Sequence, residues 1–228
     1  MGFFRPSWLC ALLLLSGCNT VHSDKPLFGL EDVRGATPLK PGLWVLYESE
    51  EGLSGGQCRF DTQKPLRKWP ECARWALVRE NDLLYLVEGG RGERKWLSST
   101  YVLVGGQPRI LQTTTSFWAV DESDKEQNEY AGLAPTAHDA AGLISAYRAW
   151  DAQCGPPDHT QYPGNSGPHP STLAPLPGLT MEESGLSCVA MDQDAVRRSV
   201  VASEAWGPDY RDVRWVRGAR PDDFTRPR

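Results

Sequence analysis

No apolar run in this chain approaches the roughly 20 residues that a membrane-spanning helix needs. Positive charge is not in excess either: 24 Lys+Arg stand against 29 Asp+Glu, a formal net charge of −5. Such a balance offers no general attraction to nucleic acid or to anionic lipid head groups. Histidine is scarce, at four residues, and no C-x-x-C pair or neighbouring His ligand set occurs, which argues against zinc. There is no G-x-S-x-G elbow and no EF-hand spacing. Gly89-Gly90-Arg91-Gly92 lacks the Lys-Ser/Thr ending of a phosphate loop and reads as a turn. No pattern calls for a cofactor.

What the chain does have begins at its start. Arg5 is the only charge in residues 1–17, Trp8 to Leu15 form a compact apolar core, and Ser16-Gly17 are small residues before a cut. Leu15-Ser16-Gly17-Cys18 resembles the lipobox of bacterial lipoprotein precursors, with Leu at −3 and Cys at +1. Cys10 fails this test because Trp8 and Leu9 precede it. N-myristoylation is excluded by Pro6 at the position requiring Ser or Thr. The resemblance implies cleavage after Gly17 and three acyl chains on the new N-terminus at Cys18. Two chains already anchor stably. Asn19 at +2, in place of the Asp typical of inner-membrane retention, implies the outer membrane, facing the periplasm.

Residues 18–41 read as a lipidated N-terminus and a tether passing into the fold, with Leu27-Phe28 and Leu30 as docking residues. Residues 42–228 read as a single β-rich domain. Short runs rich in Val, Leu, Tyr, Trp and Thr recur between turns: Leu43–Glu48, 75–78, 83–87, 101–104, 110–115, 130–135 and 143–150. This spacing predicts a mainly β fold, an antiparallel meander forming a barrel or sandwich, lipocalin-like if it closes. Residues 155–178 are dominated by Pro and Gly and form a loop. One C-terminal helix follows, with Asp192 as N-cap, Val196 and Val200 on one face, and Gly207-Pro208 as its end. Val213–Val216 reads as a final strand. The arginines at 211, 214, 217 and 220, interspersed with aspartates, read as a solvated stretch.

Cys58, Cys72, Cys154 and Cys188 form an even set in an oxidising compartment, so two disulfides are expected. Of three connectivities, Cys58–Cys72 and Cys154–Cys188 are favoured because each closes a local, turn-rich loop. His138-Asp139 has the types of a base and its orienter but sits in a turn. The acidic run 121–129 reads as a solvated hairpin tip. The tryptophans at 44, 69, 75, 96, 118, 150, 206 and 215 read mainly as core.

Pro41-Gly42-Leu43-Trp44, Cys58-Arg59-Phe60-Asp61, Pro65-Leu66, Trp69-Pro70-Glu71-Cys72-Ala73 and Trp150…Cys154-Gly155-Pro156-Pro157 together resemble a group of bacterial cell-envelope lipoproteins of uncharacterised activity. The resemblance implies the address and the cysteine framework and transfers no catalytic residue. The leading expectation is non-catalytic binding of a partner protein or an apolar ligand. The alternative is a periplasmic hydrolase acting on an envelope polymer. Metabolic labelling with palmitate is expected to mark the protein and to fail on Cys18→Ser; a label surviving that substitution would move the lipid elsewhere.

Overall fold

A computed structural model describes residues 19–48, 60–70, 73–88, 94–117, 125–156, 174–183, 185, 187–208 and 210–223. Among the described residues, eleven strands and one α-helix follow in order: β1 (Thr20–Ser23), β2 (Gly42–Glu48), β3 (Arg74–Arg79), β4 (Asp82–Glu88), β5 (Arg94–Val104), β6 (Arg109–Phe117), β7 (Lys125–His138), β8 (Ile144–Asp151), β9 (Leu179–Met181), β10 (Ser187–Ala190), α1 (Gln193–Ala205) and β11 (Arg211–Arg217).

Seven of these strands, β2 to β8, form an antiparallel meander, each of β3 to β8 paired with the strand before it. The eighth, β11, pairs with β8 on one side and with β2 on the other, which closes the sheet on itself. The expected mainly β fold is therefore an eight-stranded antiparallel barrel of lipocalin-like form, with one C-terminal helix. Closure satisfies the backbone donors and acceptors that an open edge would leave exposed.

Strand alternation sorts the side chains into two sets. Trp44, Val78, Leu83, Tyr85, Tyr101, Leu103, Leu111, Leu133, Tyr147 and Val213 form one buried cluster, the barrel interior. The alternate residues face outward, where two further clusters cover them. Leu43, Val45, Trp75 and Leu77 pack with Leu66 and Trp69 from the short 3-10 turn Leu66–Lys68. Val104, Ile110, Tyr130 and Trp150 pack with Val21, Phe28 and the α1 residues Ala195, Val196 and Val200. The tryptophans at 44, 69, 75 and 150 are buried, as expected of core residues.

The helix forms where the sequence places it. Asp192 caps it, accepting from Ala195 N at 2.7 Å. Its buried face is pinned to the chain leaving β8: Trp150 Nε1 donates to Val200 O at 3.0 Å, and Ser199 Oγ to Gln153 O at 2.8 Å. Trp150 also lies across Gly132 of β7. A Cβ there would fall 2.2 Å from Trp150 Cε2, so only glycine admits the ring.

The tether expectation is overturned. Asn19 is 1% exposed, and Cys154 N donates to its carbonyl. Strand β1 pairs in parallel with β10 and antiparallel with β7. Phe28 is buried and Leu27 is partly buried, but Leu30 is exposed. The segment is polar in composition, yet its backbone completes a side sheet, and its alternating Val21 enters the core under α1. Cys154 and Cys188 are disulfide-bonded, their Cα atoms 5.7 Å apart, joining the chain just past β8 to β10. Cys18, Cys58 and Cys72 lie outside the described residues.

The arginine-rich end is not a solvated stretch throughout. Arg217, 6% exposed, donates to both carboxylate oxygens of Asp223 at 2.6 and 2.8 Å and to Thr62 O at 2.9 Å. Burial alone would raise the Asp223 carboxyl. The Arg217 pair and the backbone N–H groups of Arg220 and Leu66 outweigh it and hold the group below its ordinary value. Asp223→Ala would leave a guanidinium buried without its counter-ion. A loss of about 3–5 kcal/mol is expected, read as a lower urea midpoint; a loss below about 1 kcal/mol would show that the pair does not hold the C-terminal turn.

Candidate functional site

The barrel interior changes character along its length. Leu39, Leu83, Leu103, Leu111, Leu133 and Ile144 are buried hydrocarbon. Elsewhere on the inner wall, Tyr85 OH lies 3.0 Å from Ser99 Oγ, which lies 2.7 Å from Thr115 Oγ1. These hydroxyls form a ladder across β4, β5 and β6. Burial raises the Tyr85, Tyr101 and Tyr147 phenols, Tyr101 to about 12 with Asp82 and Glu80 adding to the effect.

Three ionisable side chains share this inner wall. Arg211 is paired in register with Ala149, and alternation on β11 puts it on the same side as Val213. Asp151 follows Tyr147 and Ala149 on the inward face of β8. Glu129 precedes Ala131 and Leu133 on the inward face of β7 and sits opposite Thr113. Arg211 Nη2 donates to Asp151 Oδ1, with the two side chains only 12% and 3% exposed. Arg211 Nε and Nη1 are buried and have no hydrogen-bond partner.

Glu129 is held neutral to an unusual pH. Burial is the larger cause, the Asp151 carboxylate adds to it, and Arg211 opposes; together they raise the group from its ordinary 4.5 to about 7. Reading sequence alone, Glu129 belongs to an acidic hairpin tip. That placement fails because β7 begins at Lys125, so the end of the run lies inside a strand and alternation turns Glu129 inward.

The same face continues past the point where β8 leaves β7. The last β7–β8 pair at this end is Ala131↔Asp151; beyond it β1 takes the place of β8, with His22↔Glu129. Residues in register share a face, so His22 flanks Glu129. His22 is 8% exposed, and its Nε2 lies 3.0 Å from Glu182 Oε1. Ser187 Oγ donates to the other oxygen of Glu182. Serine, histidine and carboxylate thus meet, but the carboxylate lies between the other two. A nucleophilic triad needs the serine on the imidazole.

His138 and Asp139 stay apart from this wall. His138 is exposed at the end of β7, just before the turn to β8. Asp139 Oδ1 accepts from Ala141 N and Leu143 N, and Oδ2 lies 3.1 Å from Lys40 Nζ. The aspartate builds the turn and does not orient a base. Among the described residues no group of three His, Cys, Asp or Glu has the geometry to hold a metal ion.

Arg211, Glu129, Asp151 and His22 were not legible as a site, because they come from four segments far apart in the chain. The available signal was alternation: Arg211 and Val213, or Glu129 and Ala131, lie two apart and so share a strand face. The fold and site define a lipocalin-like barrel with ionisable groups on its inner wall. Comparison with protein-family models, with curated proteins and with solved structures finds no match to the chain.

The raised Glu129 group has a signed consequence. Between pH 4.5 and 7 the folded protein holds a proton that the unfolded chain releases. Stability from this group is complete below about pH 4.5 and is lost as pH rises through 7, by up to about 3 kcal/mol at 1.36 kcal/mol per pKa unit. Glu129→Gln is expected to remove this fall, measured as the urea midpoint at pH 4.5 and 8; an unchanged pH slope in the variant would place its origin elsewhere.

Proposed function

We propose that the protein is a lipid-anchored envelope protein, held on the periplasmic face of the outer membrane by acyl chains on Cys18, whose barrel binds a small ligand without catalysis. The carrying observation is the ionisable inner wall. Taking a charge out of water costs several kcal/mol even after pairing. A barrel serving only as a scaffold is filled more cheaply by hydrocarbon, as the apolar part of this one is. Retaining Arg211, Asp151 and Glu129 inside makes sense when a ligand uses them.

An eight-stranded barrel is wide enough for packed side chains or one small ligand. The ligand is accordingly small, with a polar group for the charged wall and hydrocarbon for the aromatic one. This extends the expectation of an apolar ligand. The hydrolase alternative is less favoured: where Ser187, His22 and Glu182 meet, serine and histidine each contact the carboxylate and not each other.

The folded position of Asn19 bears on the anchor. Consecutive Cα atoms are about 3.8 Å apart, so a lipid on Cys18 holds the barrel at the bilayer surface with almost no intervening chain. The full-length protein, purified from its own membranes, tests the reading by native mass spectrometry. A retained small-molecule adduct that is released on unfolding is expected. An adduct-free protein that also shows no thermal shift with carboxylates, phosphates, amines or alcohols would remove the binding function. Recovery in the soluble fraction with unmodified Cys18 would remove the anchor.

A further inference from the structure

We propose that Arg211, flanked by Asp151 and Glu129, is an oxyanion-binding site on the inner wall of the barrel, taking the carboxylate or phosphate group of a small ligand. The proposal deepens the binding function above and rests on it.

Arg211 has unmet hydrogen bonds. An arginine side chain carries five N–H bonds in a planar fork and a positive charge. In Arg211, Nη2 is on Asp151, but Nε and Nη1 are buried and unpartnered. Leaving a buried donor unsatisfied costs about 1–3 kcal/mol, and more for a charged group. Glu129 meets the cost of burial by keeping its proton, whereas a guanidinium keeps its charge. Two orphaned donors on one permanent cation call for a partner that only accepts hydrogen bonds and carries negative charge, which describes a carboxylate or phosphate oxygen. An amine would be repelled by Arg211 and would leave its donors empty. An alkane or alcohol would leave the charge unanswered.

The two acids beside Arg211 set the conditions of binding. Asp151 accepts from Nη2 and neutralises part of the guanidinium charge. Glu129 faces the cluster from β7 and, when protonated, donates a hydrogen bond to a bound oxyanion; when ionised, it repels one. Of the other titratable groups on this wall, Tyr85 on β4 feels the Glu129 charge, Tyr101 on β5 shares its row through Thr113, and His22 on β1 is in register with it, with Glu182 behind; Tyr147 on β8 feels Arg211. The tyrosines remain neutral, since burial raises all three. Binding is therefore coupled to a proton on Glu129. With that group titrating at about 7 in the free protein, and held protonated by the ligand, affinity falls about tenfold from pH 6 to pH 8.

Titration calorimetry on the full-length protein in detergent tests this with four probes: inorganic phosphate, hexanoate, hexylamine and hexanol. Binding of phosphate or hexanoate, with no heat from hexylamine or hexanol, is expected. Phosphate alone assigns the site to a phosphate group, and hexanoate alone to a carboxylate with an apolar tail. Arg211→Gln should weaken binding at least tenfold, and Arg211→Lys should restore part of it. Glu129→Gln should still bind and should lose the tenfold fall between pH 6 and 8. That fall and the charge preference are read without any Arg211 variant, so they decide the matter if Arg211→Gln does not fold. Equal binding by folded Arg211→Gln, preference for the amine or alcohol, or an undiminished pH fall in Glu129→Gln would overturn the site while leaving a ligand-binding barrel. Absence of binding by all four probes at both pH values overturns the oxyanion site, and native mass spectrometry then decides the barrel.

Discussion

Pairing of β11 with β2 is the constraint on which the rest depends. Without it the meander is a curved sheet with two open edges, and its concave face is wet. With it, every second residue of eight strands is enclosed. The register Val213↔Leu46 and Trp215↔Trp44 joins strands separated by most of the chain, and the same alternation then fixes what lies inside. Arg211 is buried because it is two residues before Val213 on the closing strand. The electrostatics of the interior follow from closure and not from any local motif.

The side sheet extends this constraint to the N-terminus. Beyond Asp151 the barrel wall would open between β7 and β8, and β1 fills the place beside β7. The disulfide Cys154–Cys188, helix α1 and the Asn19 contacts hold that wedge from outside. A lipid on Cys18 would therefore pull directly on a strand that borders the charged wall. An anchor at Cys18, as proposed, would share one structural element with the candidate site.

Much of the architecture was legible. Strands β2, β3, β4, β6 and β8, the turn at Glu80-Asn81 and the helix with its Asp192 cap follow from alternation, turn residues and capping chemistry. These signals are local, and they act through neighbours a few residues apart. The Cys154–Cys188 bond was legible because both cysteines flank one loop. By contrast β1, β9 and β10 are three or four residues long and carry too little pattern. The polar segment 19–41 has the composition of a linker, and only its backbone pairing makes it part of the sheet.

By itself, the sequence determined a predominantly β body, its principal turns and its single helix. Each of these rests on short-range chemistry that an isolated segment already carries. Only the tertiary structure decided that the sheet is closed, that β1 is a folded strand, and that Arg211, Asp151 and Glu129 share an inner wall. Charged residues on a strand look solvated in sequence. They become buried only when a distant strand completes the surface that excludes water, and that long-range pairing raises the Glu129 carboxyl and leaves two Arg211 donors in want of an oxygen.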